Sequence, residues 1–341
     1  MSFGDNRGPL GLYTTMRRIR SFEERVGELF VRGESAGSML HLSIGEESVA
    51  GICDAMTDGD TFTTHHRGHG IFLARGADPR RMMAEIAGKV DGYCRGKGGS
   101  MHIADMGLGH LGANAIVGGG IPHVIGAGIA YRNRREPRVS VAFFGDGAMQ
   151  QGILYESMNM AALWRLPVVF CCVNNQYGMG TRVDRSAGRV AFDERARAFG
   201  LDGIVVDGLD VEAVREAGGR VVDAARDGRP GFVSLEVFRF FGHARMDKSP
   251  YRTDEEEAAG RARDPVAFAR DRLEARGIAD APTLERIDAE VAREMDAALD
   301  HAVGAVPPAA DVMFDDVYAP GEPRPVPVRE RIAAVLSEAH R

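Results

Sequence analysis

Apolar residues recur at helical spacing between Tyr13 and Arg32, at Met16, Ile19, Phe22, Val26, Leu29 and Phe30, and Gly33 follows as a stop. The spacing predicts an amphipathic helix there. A second helix is expected near 45-GEESVAGICDAM-56, followed by a strand-like piece, 60-DTFTTH-65, that runs into a polar loop, 65-HHRGHG-70. Residues 79-PRRMMAEIAGK-89 open with proline at a helix start. The region from Gly96 to Gly120 shows little periodicity and reads as one long loop of functional character.

Beyond it the pattern sharpens. Residues 123–135 and 151–164 have helical spacing, and 139-VSVAFF-144 and 168-VVFCCV-173 are short, continuously apolar strands. Further strands are expected at 204–208 and 233–238 around a helix at 211–228. Short apolar strands alternating with helices imply parallel strands covered on both faces, an α/β doubly wound fold. Past 243-HARMDKSPYRTDEEE-257, polar enough for a mobile loop, helices are expected at roughly 264–277 and 283–302. The last segment, 305-AVPPAADVMFDDVYAPGEPRPVPVRE-330, is proline-rich, with an apolar patch at Val312, Phe314 and Val317, and is expected to wrap the domain or a partner and end in a short helix. The division expected is a flexible tail over 1–12, the α/β domain over 13–303, and a tail with a short helix over 304–341.

Composition narrows the class. The chain has 341 residues, 44% hydrophobic and 27% charged, which suits about two globular domains with a substantial core. A net charge of -7 argues against nucleic acid. The first residues lack an apolar signal core, and no stretch of 18 apolar residues occurs, so a cytoplasmic protein without membrane contact is expected. Cys53, Cys94, Cys171 and Cys172 show no CxxC spacing and read as reduced thiols.

The chemistry concentrates at two strand ends. Asp146, in 145-GDGAMQQG-152, follows the strand 139–144, and Asn175 follows the strand 168–173, with one crossover helix between them. In open α/β sheets ligands sit beyond the carboxyl ends of strands, so a carboxylate and an amide oxygen are expected on one edge. Two hard oxygen donors and a backbone carbonyl suit Mg²⁺ completed by phosphate oxygens and water. Gly145 and Gly147 allow close backbone approach, and a helix starting near Ala148 offers its positive end to a phosphate. Alone, Gly-Asp-Gly is a common turn; paired with Asn175 it reads as half of a metal–diphosphate site.

Together with 40-LHLSIGEES-48, 64-THHRGHG-70, 95-RGKGGSMHIAD-105, 112-GANAIVGGGIP-122, 157-SMNMAALWRLPVVF-170, 174-NNQYGMGT-181 and 249-SPYRT-253, these motifs give the chain a resemblance. From about residue 13 to 320 it resembles the α subunit of the thiamine diphosphate-dependent first component of 2-oxo acid dehydrogenase complexes, which include pyruvate and acetoin dehydrogenases. The resemblance implies the thiamine diphosphate-binding α/β fold with additional N- and C-terminal helices. It places Mg²⁺ on Asp146, Asn175 and the carbonyl of Tyr177. Gly147 and Ala148 would donate backbone N–H groups to the diphosphate, with His66 and Arg67 reaching its oxygens, Arg67 through its planar fork. Ile116 would be an apolar wedge under the coenzyme, flanked by main-chain contacts from Ala115 and Val117. His41 and His243 would line the reaction centre as catalytic residues, His243 also touching the coenzyme.

The implied reaction is decarboxylation of a 2-oxo acid, pyruvate foremost, or cleavage of acetoin, with the acyl group passed to the lipoyl domain of a dihydrolipoamide acyltransferase. A separate β subunit would supply a glutamic acid to the coenzyme and complete a heterotetramer of two α and two β chains. The branch is mixed. His66 stands where the family often has Tyr and acetoin members tend to have His, Ile71 replaces a His of the acetoin pattern, Ala244 lacks a phosphorylatable hydroxyl, and 176-QYGMGT-181 is closer to the pyruvate branch. A branched-chain 2-oxo acid enzyme and a non-catalytic scaffold subunit are the alternatives. NAD binding at 126-GAG-128 lacks a third glycine, zinc at His65, His66 and His69 lacks an HExxH motif, and 254-DEEE-257 reads as a solvated helix start rather than a calcium site.

Overall fold

The computed structural model describes residues 8–37, 39–317, 319 and 326–339. Residues 1–7 of the expected N-terminal tail lie outside the described residues. Two compact units are present, residues 1–307 and 308–341.

In the first unit α1 (Pro9–Val31) starts on a proline in its first turn and buries Met16, Ile19, Phe22, Val26 and Leu29, the stripe read from the sequence. The short α2 (Val49–Ala55) precedes β1 (Thr61–His65), α3 (His69–Ala74) and α4 (Pro79–Ile86). Asp78 caps α4 by accepting from the Arg80 N–H, with Pro79 at the first position. Two expectations are corrected here. The polar loop ends at Gly68, because His69 already begins α3, and the Gly96–Gly120 region contains a strand, β2 (His110–Asn114). Its sequence, HLGAN, hides that strand: it lacks a β-branched alternation, and its first side chain, His110, is buried in a stack on Phe62 with centroids 4.7 Å apart.

The rest of that glycine-rich region is organised by one acid. The buried Glu85 accepts backbone N–H bonds from Cys94 (2.7 Å), Gly96 (2.9 Å), Gly98 (2.7 Å) and Gly99 (3.0 Å). The loop wraps so closely that a Cβ at Gly92 would lie 2.3 Å from the Glu85 carboxylate, and Gly96 has φ +77°; glycine is required at both for different reasons.

The α/β pattern then runs α5 (Ile121–Arg134), β3 (Ser140–Gly145), α6 (Gly152–Trp164) and β4 (Val168–Asn174). After β4 come a tight antiparallel hairpin, β5 (Tyr177–Gly178) and β6 (Thr181–Arg182), and two short helices, α7 (Val183–Ser186) and α8 (Phe192–Ala198), that the polar sequence does not announce. The chain returns through β7 (Asp202–Asp207), α9 (Val211–Arg226) and β8 (Gly231–Glu236), and continues as α10 (Asp254–Arg261), α11 (Pro265–Ala275) and α12 (Ala281–Gly304). Side chains of Asp210, Thr253, Asp264 and Asp280 cap α9, α10, α11 and α12.

The six-stranded sheet is parallel throughout, in the order β2-β1-β3-β4-β8-β7. Alternate side chains go to opposite faces. Val141, Phe143, Val169, Cys171, Val233 and Leu235 enter the core shared with α1, α2, α9 and α12. Ala142, Phe144, Phe170, Cys172 and Phe232 enter the core under α5 and α6. The adjacent cysteines are thus separated by the sheet, and all four cysteines are free thiols. The doubly wound α/β fold expected from the sequence is the fold observed.

From β1 the chain crosses one way to β2, whereas β3 and β4 lie on its other side, so the order reverses beside β1 and β3. Ligand crevices open at such a reversal. In the second unit α13 (Val328–Ala339) is the short helix expected near the end of the chain. Among the described residues no helix is long and apolar enough to cross a membrane.

Candidate active site

Three strand ends converge at the reversal. His65 closes β1 and is followed by His66 and Arg67, Asp146 follows β3, and Asn175 follows β4. The register of β3 on β4 pairs Gly145 with Val173, which sets the two turns side by side. They open on a cavity of about 290 Å³. The cavity is lined by every residue expected to hold coenzyme or metal: His66, Arg67, Ala115, Ile116, Val117, Gly145, Asp146, Gly147, Ala148, Asn175, Tyr177 and His243. His41 stands just behind, its ring edge-on to His66 (4.6 Å) and His243 (4.8 Å).

The turn after β3 is a 3-10 segment, Asp146–Gln150, and α6 starts only at Gly152, so the helix expected near Ala148 begins with a tighter turn. Gly147 meets the β5 hairpin through Gly178: a Cβ at either position would lie 3.3–3.4 Å from the other's Cα. Two glycines thus bring the Asp146 turn and the segment after Asn175 into backbone contact.

The electrostatics suit a cation. Asp146 is 3% exposed and has no salt-bridge partner among the described residues; burial pushes its pKa up to about 6. Asn175 is also buried, its Nδ2 donating to Glu46 Oε1 at 2.8 Å and its Oδ1 accepting from the Tyr177 N–H at 3.2 Å. Burial raises the pKa of Glu46, and Arg67, 3.7 Å away, opposes that rise. A buried carboxylate without a salt-bridge partner among the described residues, beside a fixed amide, is a set of hard oxygen donors that fits Mg²⁺.

Arg67 departs from expectation. Its fork is engaged within the protein, Nη1 donating to the Leu42 carbonyl (2.6 Å) and Nη2 to the His243 carbonyl (2.9 Å). It braces the two histidine-bearing segments instead of presenting both arms to a diphosphate. Arg239, absent from the sequence reading, also lines the cavity; it donates to the carbonyls of Phe241 and Met179 and to the Tyr251 hydroxyl, and burial lowers its pKa to about 10. Only its place after a strand, in 237-VFRFFGHA-244, hinted at it.

Burial, then the charge of Arg67, lowers His41 to about 3 and His243 to about 4, and burial lowers His65 to about 3 and His66 further. Among the described residues His41 Nδ1 and His65 Nε2 are buried without hydrogen-bond partners. Ile116 and Val117, at 72% and 52% exposure, form an apolar rim at the mouth.

Residues 14–310 match the family model described as the dehydrogenase E1 component. The chain is 42% identical over 323 residues to the α subunit of acetoin:2,6-dichlorophenolindophenol oxidoreductase of Cupriavidus necator, covering 92% of this chain and 95% of that protein. It is 39% identical over 311 residues to the pyruvate dehydrogenase E1 component subunit α of Rhizobium meliloti, with 90% and 89% covered. The mitochondrial yeast counterpart of the latter is 36% identical over 329 residues, 95% and 77% covered.

Proposed function

This chain belongs to the dehydrogenase E1 component family, and from that premise we propose that it is the α subunit of a thiamine diphosphate- and Mg²⁺-dependent oxidoreductase. Its substrate class is a 2-oxo acid, pyruvate foremost, or acetoin, and its acyl acceptor is a lipoyl group on a dihydrolipoamide acyltransferase. One observation carries the reading: a buried carboxylate, Asp146, and a buried, oriented amide, Asn175, sit at the ends of adjacent parallel strands over one cavity.

In this reading Asp146, Asn175 Oδ1 and the Tyr177 carbonyl hold the metal. The backbone N–H groups of Gly147 and Ala148 and the His66 ring face the diphosphate. Ile116 supports the coenzyme, with Ala115 and Val117 beside it. Bound thiamine diphosphate supplies the nucleophile and the electron sink for cleaving the bond next to a carbonyl. The chain itself orients and excludes water. Neutral imidazoles at His41, His66 and His243 can donate a hydrogen bond to a substrate carbonyl or accept a proton. Arg67 keeps their segments in register. The exposed Ile116 and Val117 support a second chain covering the mouth, a β subunit in a heterotetramer of two α and two β chains.

The test is co-expression with a β-like partner, followed by reduction of 2,6-dichlorophenolindophenol with pyruvate, branched 2-oxo acids and acetoin. Turnover of one of them is expected. Coenzyme binding without turnover of any would overturn the substrate class, and absence of coenzyme binding would overturn the whole reading in favour of a scaffold subunit.

A further inference from the structure

We propose that His41, His66 and His243 form a second, nitrogen-lined cation site, taking a borderline-soft divalent ion such as Zn²⁺, distinct from the oxygen donors of Asp146 and Asn175. The three side chains each offer one ring nitrogen within 4.8 Å of the other two. Their centroids are 4.6, 4.8 and 5.3 Å apart. With Zn–N about 2.1 Å and a ring nitrogen about 1.1 Å from its centroid, three imidazoles on one tetrahedral ion have centroids about 5 Å apart. The rings stand near that separation, and their nitrogens, now within 4.8 Å of one another, would have to close to about 3.4 Å on a bound ion.

Other observations agree. His41 is 3% exposed, and among the described residues its Nδ1 has no hydrogen-bond partner, so a buried polar atom lacks the partner an ion would provide. The burial that lowers these imidazoles' pKa values keeps them in the unprotonated form that binds metal. Imidazole suits zinc, whereas Mg²⁺ prefers oxygen, so the two sites sort ions by chemistry. The backbone around His243 is fixed, its N–H donating to Asp247 at 2.8 Å and its carbonyl accepting from Arg67. The charges of Arg67 and Arg239 oppose a cation, and Glu46, 3.7 Å from Arg67, and Asp247 partly offset them, so the affinity expected is below that of structural zinc sites. His66 and His243 line the cavity, so an ion there leaves one coordination position facing it and obstructs substrate. The site would make the protein reversibly sensitive to free zinc.

Titration of the full-length chain with Co²⁺, in excess Mg²⁺, tests this. The expected result is one equivalent bound, with the strong visible absorption of a four- or five-coordinate nitrogen site, displaced by one equivalent of Zn²⁺. His66→Phe should lose that absorption and weaken Co²⁺ binding at least about tenfold, while Asp146→Ala keeps both. A weak six-coordinate spectrum in the unaltered chain, or an unchanged spectrum in His66→Phe, would overturn the proposal. Circular dichroism checks each variant's fold, and His243→Ala replaces His66→Phe if the latter does not fold. Because Co²⁺ is read without coenzyme or turnover, failure here is distinguishable from failure of the proposed dehydrogenase activity.

Discussion

Asn175 Nδ2 donates to Glu46 Oε1 at 2.8 Å, inside the protein and across 129 residues of sequence. The bond decides which way the amide faces. With its NH₂ held by a carboxylate, Asn175 turns Oδ1 toward the Tyr177 N–H and the Asp146 turn. Glu46→Ala leaves the amide free to flip. It should weaken Mg²⁺-dependent thiamine diphosphate binding about 10–100-fold, the usual range for losing a group that orients a metal ligand. Calorimetric titration measures this, and unchanged affinity would mean that the amide is oriented by something else.

Asp146 makes metal affinity depend on pH in a defined direction. Its metal-free pKa is raised to about 6 from 3.8, chiefly by burial. Below pH 6 a metal ion must displace a proton. Affinity for Mn²⁺ or Mg²⁺ should therefore rise about tenfold per pH unit up to about 6 and level off above it. The linked effect on the metal-free fold has the opposite sense. A raised carboxyl pKa gives stability that is full below the unfolded value near 4 and lost as pH rises through 6. Metal titrations between pH 5 and 8 check the first effect, and denaturant melts of the metal-free protein check the second. Asp146→Ala should abolish Mg²⁺-dependent coenzyme binding with circular dichroism unchanged.

Ile116 is 72% exposed, so its truncation removes little packing. Ile116→Ala should change unfolding free energy by no more than about 0.5 kcal/mol. If it supports the coenzyme, binding of thiamine diphosphate should nevertheless weaken measurably. Equal affinity in the variant would remove Ile116 from the site.

Glu85 has the opposite profile. It is 0% exposed and accepts four backbone N–H groups of the glycine-rich loop. Glu85→Ala leaves those donors unpaired, and a loss of about 3–5 kcal/mol is expected from urea melts. Proteolytic nicking between Gly92 and Gly99 should appear before global unfolding.

Much of this was legible because it is local. The α/β alternation, the capped helices and the Asp146 and Asn175 strand ends follow from short patterns with a direct physical meaning. What escaped depends on distant partners. Nothing near Glu46 announces that it serves Asn175, and nothing near Arg67 shows that its arms close on Leu42 and His243. The strand at His110–Asn114 escaped because its place in the sheet comes from stacking on Phe62 rather than from β-forming residues. Of the histidines, the resemblance already set His41, His66 and His243 around one centre, where folding brings them together, whereas nothing near His69 shows that it pairs with Glu23 and Ser100.

The bare rim at Ile116 and Val117 has a cost outside catalysis. Oily side chains standing in water invite clumping, and here they flank an open mouth rather than being scattered. If a partner covers that rim as proposed, a cell that makes this polypeptide faster than the partner would accumulate a sticky orphan. Matched dosage, for instance through translation from one shared message, would then matter as much for keeping the protein in solution as for switching it on.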